Sequence, residues 1–122
     1  MSLRNLGFYK ELPYGDPGGI SITEQAPLDP ETKARVLHYL ESAPVLAASQ
    51  EVFADYFTGE AVGSWNVHTD GEWLWYSDLP HYVRTHDSVL DPEFLGLIAD
   101  RTEVHLSQDE LIRISIDLRN GI

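Results

Sequence analysis

The stretch SWNVHTDGEWLWY, residues 64–76, constrains the fold more than any other part of the chain. Asp-Gly between two runs rich in aromatic and β-branched residues is a strong hairpin signal. Residues 63–76 are therefore expected to form a β-hairpin with Asp70-Gly71 as a two-residue loop. In that register Thr69 faces Glu72, His68 faces Trp73, Val67 faces Leu74, Asn66 faces Trp75 and Trp65 faces Tyr76. Opposed residues share a face and faces alternate. One face then carries Trp65, Val67, Leu74 and Tyr76, and is the expected core face. The other carries Asn66, His68, Trp73 and Trp75.

Helix signals surround the hairpin. In "LDPETKARVLHYLESA" (28–43), Asp29 can cap the first free N–H groups and Pro30 suits the first helical position. Val36, Leu37 and Leu40 supply an apolar face, with Ala34 and Tyr39 beside it, and Pro44 ends the helix near Ser42. Ser77 or Asp78 is expected to cap a short helix through about His86, with Leu79, Tyr82, Val83 and His86 on one face. "LDPE" recurs at 90–93, so Asp91-Pro92 starts another helix with Phe94, Leu95 and Ile98 inward, ending near Arg101. The tail from Ser107 to Gly121 satisfies two patterns. Leu111, Ile114 and Leu118 form a helical stripe, while Ile112, Ile114, Ile116 and Leu118 alternate as in a strand. Ser107 with Glu110 and the final Gly121 favour helix. "PVLAAS" (44–49) reads as a short buried strand, and 51–63 as a helix, turn or loop around Val52, Phe53 and Phe57. "PYGDPGG" (13–19) is a loop between fainter strand signals at Leu6–Tyr9 and Ile20–Thr23. Its glycine spacing fits neither a phosphate-binding nor a dinucleotide-binding loop. The expectation is an α+β fold in one domain over 1–122: a small, mainly antiparallel sheet packed by about four helices. Met1-Ser2-Leu3 has the look of an expression leader.

Charge restricts the partners. Eight Lys and Arg against 20 Asp and Glu give a net charge of −12. That field repels nucleic acid and anionic membranes and attracts basic partners. No Lys or Arg lies between Arg35 and Arg84, an interval holding Glu41, Glu51, Asp55, Glu60, Asp70, Glu72 and Asp78. No apolar run approaches the roughly 18 to 20 residues of a membrane span, and no secretory leader is evident. With no cysteine there is no disulfide, thiol nucleophile or thiolate metal site, which suits a cytoplasmic protein.

No set of residues adds up to a reaction. Asp70 is accounted for by the turn and Asp78 by a helix cap, which leaves Glu72 as a lone carboxylate beside the aromatics. No metal or cofactor is expected. His81 and His86 are five residues apart, roughly 500° around a helix, so their rings should diverge. His38, His68 and His105 are isolated. The strongest binding candidate is the mixed face of the hairpin, Trp73, Trp75, His68 and Asn66, with Glu72 at its end. Either a helix covers both indoles and they are core, or they are exposed anchors of the kind that dominate interfaces.

"TDGEWLWYSDLPHYVRTH" followed by "LDPEFLGLIADR" resembles a pattern in small uncharacterised bacterial proteins, chiefly of actinobacterial type. There a Thr-Asp-Gly turn precedes Trp-x-Trp, then Asp-Leu, Tyr-Val and Pro-x-x-Phe. The likeness spans most of residues 20–98 and rests on Thr69, Asp70, Gly71, Trp73, Trp75, Asp78, Leu79 and Tyr82. Tyr76 departs from it, since that position often holds Pro. The resemblance implies no activity and no catalytic residues. The leading expectation is a cytoplasmic protein-binding module of immunity or regulatory type, acting on a basic partner. The alternative is a small enzyme or small-molecule binder with a pocket near Trp73, Trp75 and His68. The oligomeric state is left open.

Overall fold

The computed structural model describes residues 3–101, 104 and 106–121, with side chains through Asp117. Met1 and Ser2 of the expected leader, His105 and the side chain of Leu118 lie outside that set. The fold is α+β: a four-stranded sheet, ordered β1-β4-β3-β2, and four helices. The strands are β1 (Arg4–Asn5), β2 (Val45–Ala54), β3 (Ala61–Thr69) and β4 (Trp73–Tyr76), and the helices are α1 (Pro30–Ser42), α2 (Asp78–His86), α3 (Pro92–Asp100) and α4 (Gln108–Gly121). β2, β3 and β4 are antiparallel, and β1 runs parallel to β4. No helix among the described residues is long and apolar enough to cross a membrane.

The helix starts follow local chemistry. Asp29 accepts a hydrogen bond from the Thr32 N–H, and Asp91 accepts one from the Glu93 N–H. Each Asp-Pro pair thus combines a cap with a residue that has no N–H to satisfy. The tail is a helix, opened by the Glu110 N–H donating to Ser107 Oγ. α2 does not start as expected. The Ser77 side chain makes no cap; its Oγ donates to the Ser64 carbonyl and accepts from the Asn66 N–H, extending the β3–β4 pairing. The Asp78 carboxylate instead accepts the Tyr14 hydroxyl. α2 ends where Asp87 adopts a left-handed conformation (φ 51°).

The hairpin forms, but two residues out of the expected register. Thr69 faces Leu74, His68 faces Trp75 and Val67 faces Tyr76. The loop is Gly71-Glu72, closed by the Asp70 N–H donating to the Trp73 carbonyl. Only Gly71 takes positive φ (97°). Asp70 acts through its side chain, whose Oδ1 accepts from the N–H groups of Glu72 and Trp73. A short carboxylate that caps the turn internally does not need φ > 0 itself. The slip is an even number of residues, so each side chain keeps its expected face.

The mixed face is the covered one, the first of its two alternatives, while the expected core face is only partly buried. Trp73, Trp75 and His68 lie under α1 and α3: Trp75 Nε1 donates to the Leu40 carbonyl, and the Phe94 ring meets both indoles edge-on. Of the expected core face only Leu74 is buried; Trp65, Val67 and Tyr76 are half-buried. The N-terminal segment covers this side, with Tyr14 meeting Phe8 and Trp65 edge to face and Tyr76 at a tilt. The main core joins Leu6, Tyr9, Val36, Tyr39, Leu40, Trp73, Trp75, Leu79, Tyr82 and Phe94.

β2 also departs from expectation. It runs ten residues along the sheet edge rather than being short and buried, and apart from Leu46 and Phe53 its residues are exposed. Ile20–Thr23 forms no strand, and the order near Leu6–Tyr9 begins earlier, as the two-residue β1.

Candidate functional site

β2 and β3 extend past β4 as a two-stranded ribbon, joined by the turn at residues 55–60. At this tip the structure assembles a group that the spacing of its residues does not announce. Asp55 follows directly on β2 and is 4% exposed. Its Oδ1 accepts from the Phe57 N–H at 2.7 Å and the Thr58 N–H at 3.2 Å, which folds the turn around the carboxylate. Its Oδ2 accepts from His81 Nε2 at 2.5 Å and from His86 Nε2 at 2.7 Å. The expectation that His81 and His86 diverge is therefore overturned. A helical wheel gives the direction in which each side chain leaves the helix axis. It does not give the ring positions when a third group from a distant strand lies between them.

Aromatic side chains wall the group. The Phe57 ring packs on His86, with centroids 4.4 Å apart, and His81 lies against Phe53 and Tyr82. Tyr82 Oη accepts from the Tyr56 N–H, tying the turn to α2. The two histidine side chains are 21% and 19% exposed, so the cluster is reachable from solvent. Burial works to raise the Asp55 carboxyl pKa. The hydrogen bonds from His81, His86 and the two turn N–H groups outweigh it and hold the carboxyl well below its usual range. One carboxylate oxygen and two imidazole nitrogens lie within 4.8 Å of one another, a set able to hold a cation.

A second buried carboxylate lies nearby in sequence. Asp78 accepts the Tyr14 hydroxyl, and burial pushes its pKa up to about 6, with that hydrogen bond opposing the rise. Tyr14 is the partner that sequence reasoning missed: an aromatic residue in a Pro- and Gly-rich loop 64 positions away.

The expected binding residues are all placed, and they do not form an open face. Trp75 is 0% exposed and Trp73 3%, with the Arg4 guanidinium lying over the Trp73 ring. His68 is 8% exposed; its ring stacks parallel to Trp75 and its Nδ1 bonds to the Ala43 carbonyl. Asn66 is half-buried, and its backbone continues the ladder to Ser77. Glu72 is exposed and lies 3.5 Å from the Arg101 guanidinium. The two indoles thus belong to the core, and His68 is buried beside Trp75. A cleft of about 260 Å³ opens elsewhere, against the N-terminal segment, lined by Asn5, Tyr9, Asp16, Ile20 and Asp91 among others.

The surface does offer apolar groups at the ribbon tip. Val52, Tyr56, Phe57 and Val62 are all exposed by more than 40%. Val52 pairs with Ser64, which places Val52 and Val62 on the same side of the ribbon. The acids of the Arg-free interval divide sharply. Asp55, Asp70 and Asp78 are buried, Glu41 pairs with Arg84, and Glu72 with Arg101. Glu51 and Glu60 flank the exposed tip, and among the described residues neither has a cationic partner. No family model, curated protein or solved structure matches the chain.

Proposed function

We propose that the chain is a protein-binding module, of immunity or regulatory type and cytoplasmic, that takes a basic partner at the tip of the β2–β3 ribbon. The observation that carries this reading is the exposed group Val52, Tyr56, Phe57 and Val62, flanked by Glu51 and Glu60, which have no cationic partner among the described residues. Aromatic and aliphatic anchors rimmed by unpaired charge combine contact energy with electrostatic guidance. A net charge of −12 speeds encounter with a cationic surface and disfavours anionic ones. The burial of Trp73 and Trp75 moves the proposed contact surface away from the hairpin.

The test is capture from the native host on the immobilised chain, repeated with the double substitution Glu51→Lys, Glu60→Lys and, separately, with Tyr56→Ala. The expected result is a basic protein retained by the unaltered chain and lost from both variants, with affinity falling at least about 10-fold between 50 and 300 mM salt. Retention that is indifferent to both variants and to salt would sink the reading.

A further inference from the structure

We propose that Asp55, His81 and His86 form a binding site for one divalent transition-metal ion of zinc type. The donor set is two imidazole nitrogens and one carboxylate oxygen, mutually within 4.8 Å. Two neutral nitrogen donors favour zinc-like ions over magnesium or calcium, which take oxygen ligands. Three protein ligands leave a fourth position to solvent, and the partial exposure of both histidines provides that access.

The shell around the ligands is built to hold them. Asp55 Oδ1 is fixed by two backbone N–H groups, which leaves Oδ2 aimed at the rings. Phe57 packs on His86, and Phe53 and Tyr82 pack on His81, restricting both rings and lowering the local dielectric. His81 Nδ1 lies 3.5 Å from Thr85 Oγ1. When an ion takes Nε2, the ring proton moves to Nδ1 and is aimed at that hydroxyl.

Distances set the movement required. The nitrogens are now 2.5 and 2.7 Å from Oδ2, joined by hydrogen bonds. Ligand atoms around a tetrahedral zinc stand about 3.4 Å apart. Each ring must therefore withdraw from Oδ2 by less than ~1 Å as the ion replaces the bridging protons, while the two nitrogens, no more than 4.8 Å apart, settle to the same spacing. His86 is the last residue of α2, where a side-chain shift disturbs least. The net charge of −12 favours cation binding overall, and Arg84, on α2 between the two histidines, is paired with Glu41. The site does not depend on the partner-binding reading and can stand or fall without it.

The experiment uses the full chain, free of any histidine tag and stripped with chelator, titrated with Zn²⁺ by calorimetry and with Co²⁺ by visible absorption. One equivalent of Zn²⁺ is expected to bind more tightly than about 10 μM, with a rise in Tm of about 5 °C in excess ion. Mg²⁺ should produce neither effect. His81→Ala and His86→Ala should each weaken binding about 100-fold or more, while His38→Ala, in exposed surface on α1, should leave it unchanged. Asp55→Asn keeps the Oδ1 acceptor that folds the turn, so it tests the ligand without removing the cap; circular dichroism of each variant reports folding. Absence of a stoichiometric site, or Zn²⁺ binding that survives both histidine substitutions in folded protein, overturns the proposal.

Discussion

Asp55 and Asp78 are both buried carboxylates, and their surroundings shift them in opposite directions. Asp55 receives four hydrogen bonds that stabilise its charge, so its pKa is depressed. Asp78 has the Tyr14 hydroxyl and more burial to overcome, so its pKa rises to about 6 from 3.8. A carboxyl raised on folding favours the native state most when both states are protonated. Its contribution is therefore fully present below pH 4 and lost as the pH climbs through 6, about 3 kcal/mol in all. Urea unfolding at pH 4 and pH 7.5, compared between the native chain and Asp78→Asn, should show the variant gaining on the native chain at the higher pH by that order. Equal pH dependence in the two proteins would refute the assignment. The residue types were legible at this scale, but their partners were not. Asp78 looked like a helix cap because Ser77-Asp78 precedes an apolar helical pattern. It became a buried acceptor because Tyr14 reaches it from a distant loop.

At the scale of elements, caps and breakers were readable. Asp29-Pro30 and Asp91-Pro92 start α1 and α3, and Ser107 opens α4, because capping is decided within four residues. Hairpin register was less readable, since Asp70 could serve the turn either by its backbone or by its carboxylate. It does so by the carboxylate, which also accepts the buried Tyr39 hydroxyl through Oδ2. Asp70→Ala would strand the Trp73 N–H and the Tyr39 hydroxyl together, and should cost about 3 kcal/mol in denaturant unfolding. Asp70→Asn keeps an oxygen for the turn and should cost less than half as much. Similar losses from both substitutions would argue against the carboxylate as organiser of the turn. The β2 ribbon was the least legible element. Its residues read as buried because they are apolar and small, yet an edge strand can leave them exposed.

For the whole molecule, charge is the dominant property. A net charge of −12 on 122 residues destabilises the compact state by self-repulsion. Much of the positive charge is committed to surface pairs: Arg4 with Glu93, Lys33 with Asp87, Arg84 with Glu41 and Arg101 with Glu72. Screening weakens those pairs slightly and the net repulsion more. Raising NaCl from about 10 mM to about 300 mM should therefore increase Tm by a few degrees, read by calorimetry. A fall in Tm would mean that the surface pairs outweigh the repulsion.

The α+β class, the starts of α1, α3 and α4, the existence of the hairpin and the sharing of its faces were all legible along the chain. Each of these is set by neighbours along the chain: a cap and its N–H, a turn and its flanks, the two-residue alternation of a strand. The acidic field was legible there too, because net charge needs no coordinates. Packing settled which hairpin face is covered, since α1 and α3 could in principle have packed on either. They chose the Trp73 and Trp75 side, and the N-terminal segment took the other. Only the tertiary structure brought Asp55 to His81 and His86, across 26 and 31 residues. Their convergence depends on a ribbon turn meeting the end of a helix, and no local pattern encodes that distance.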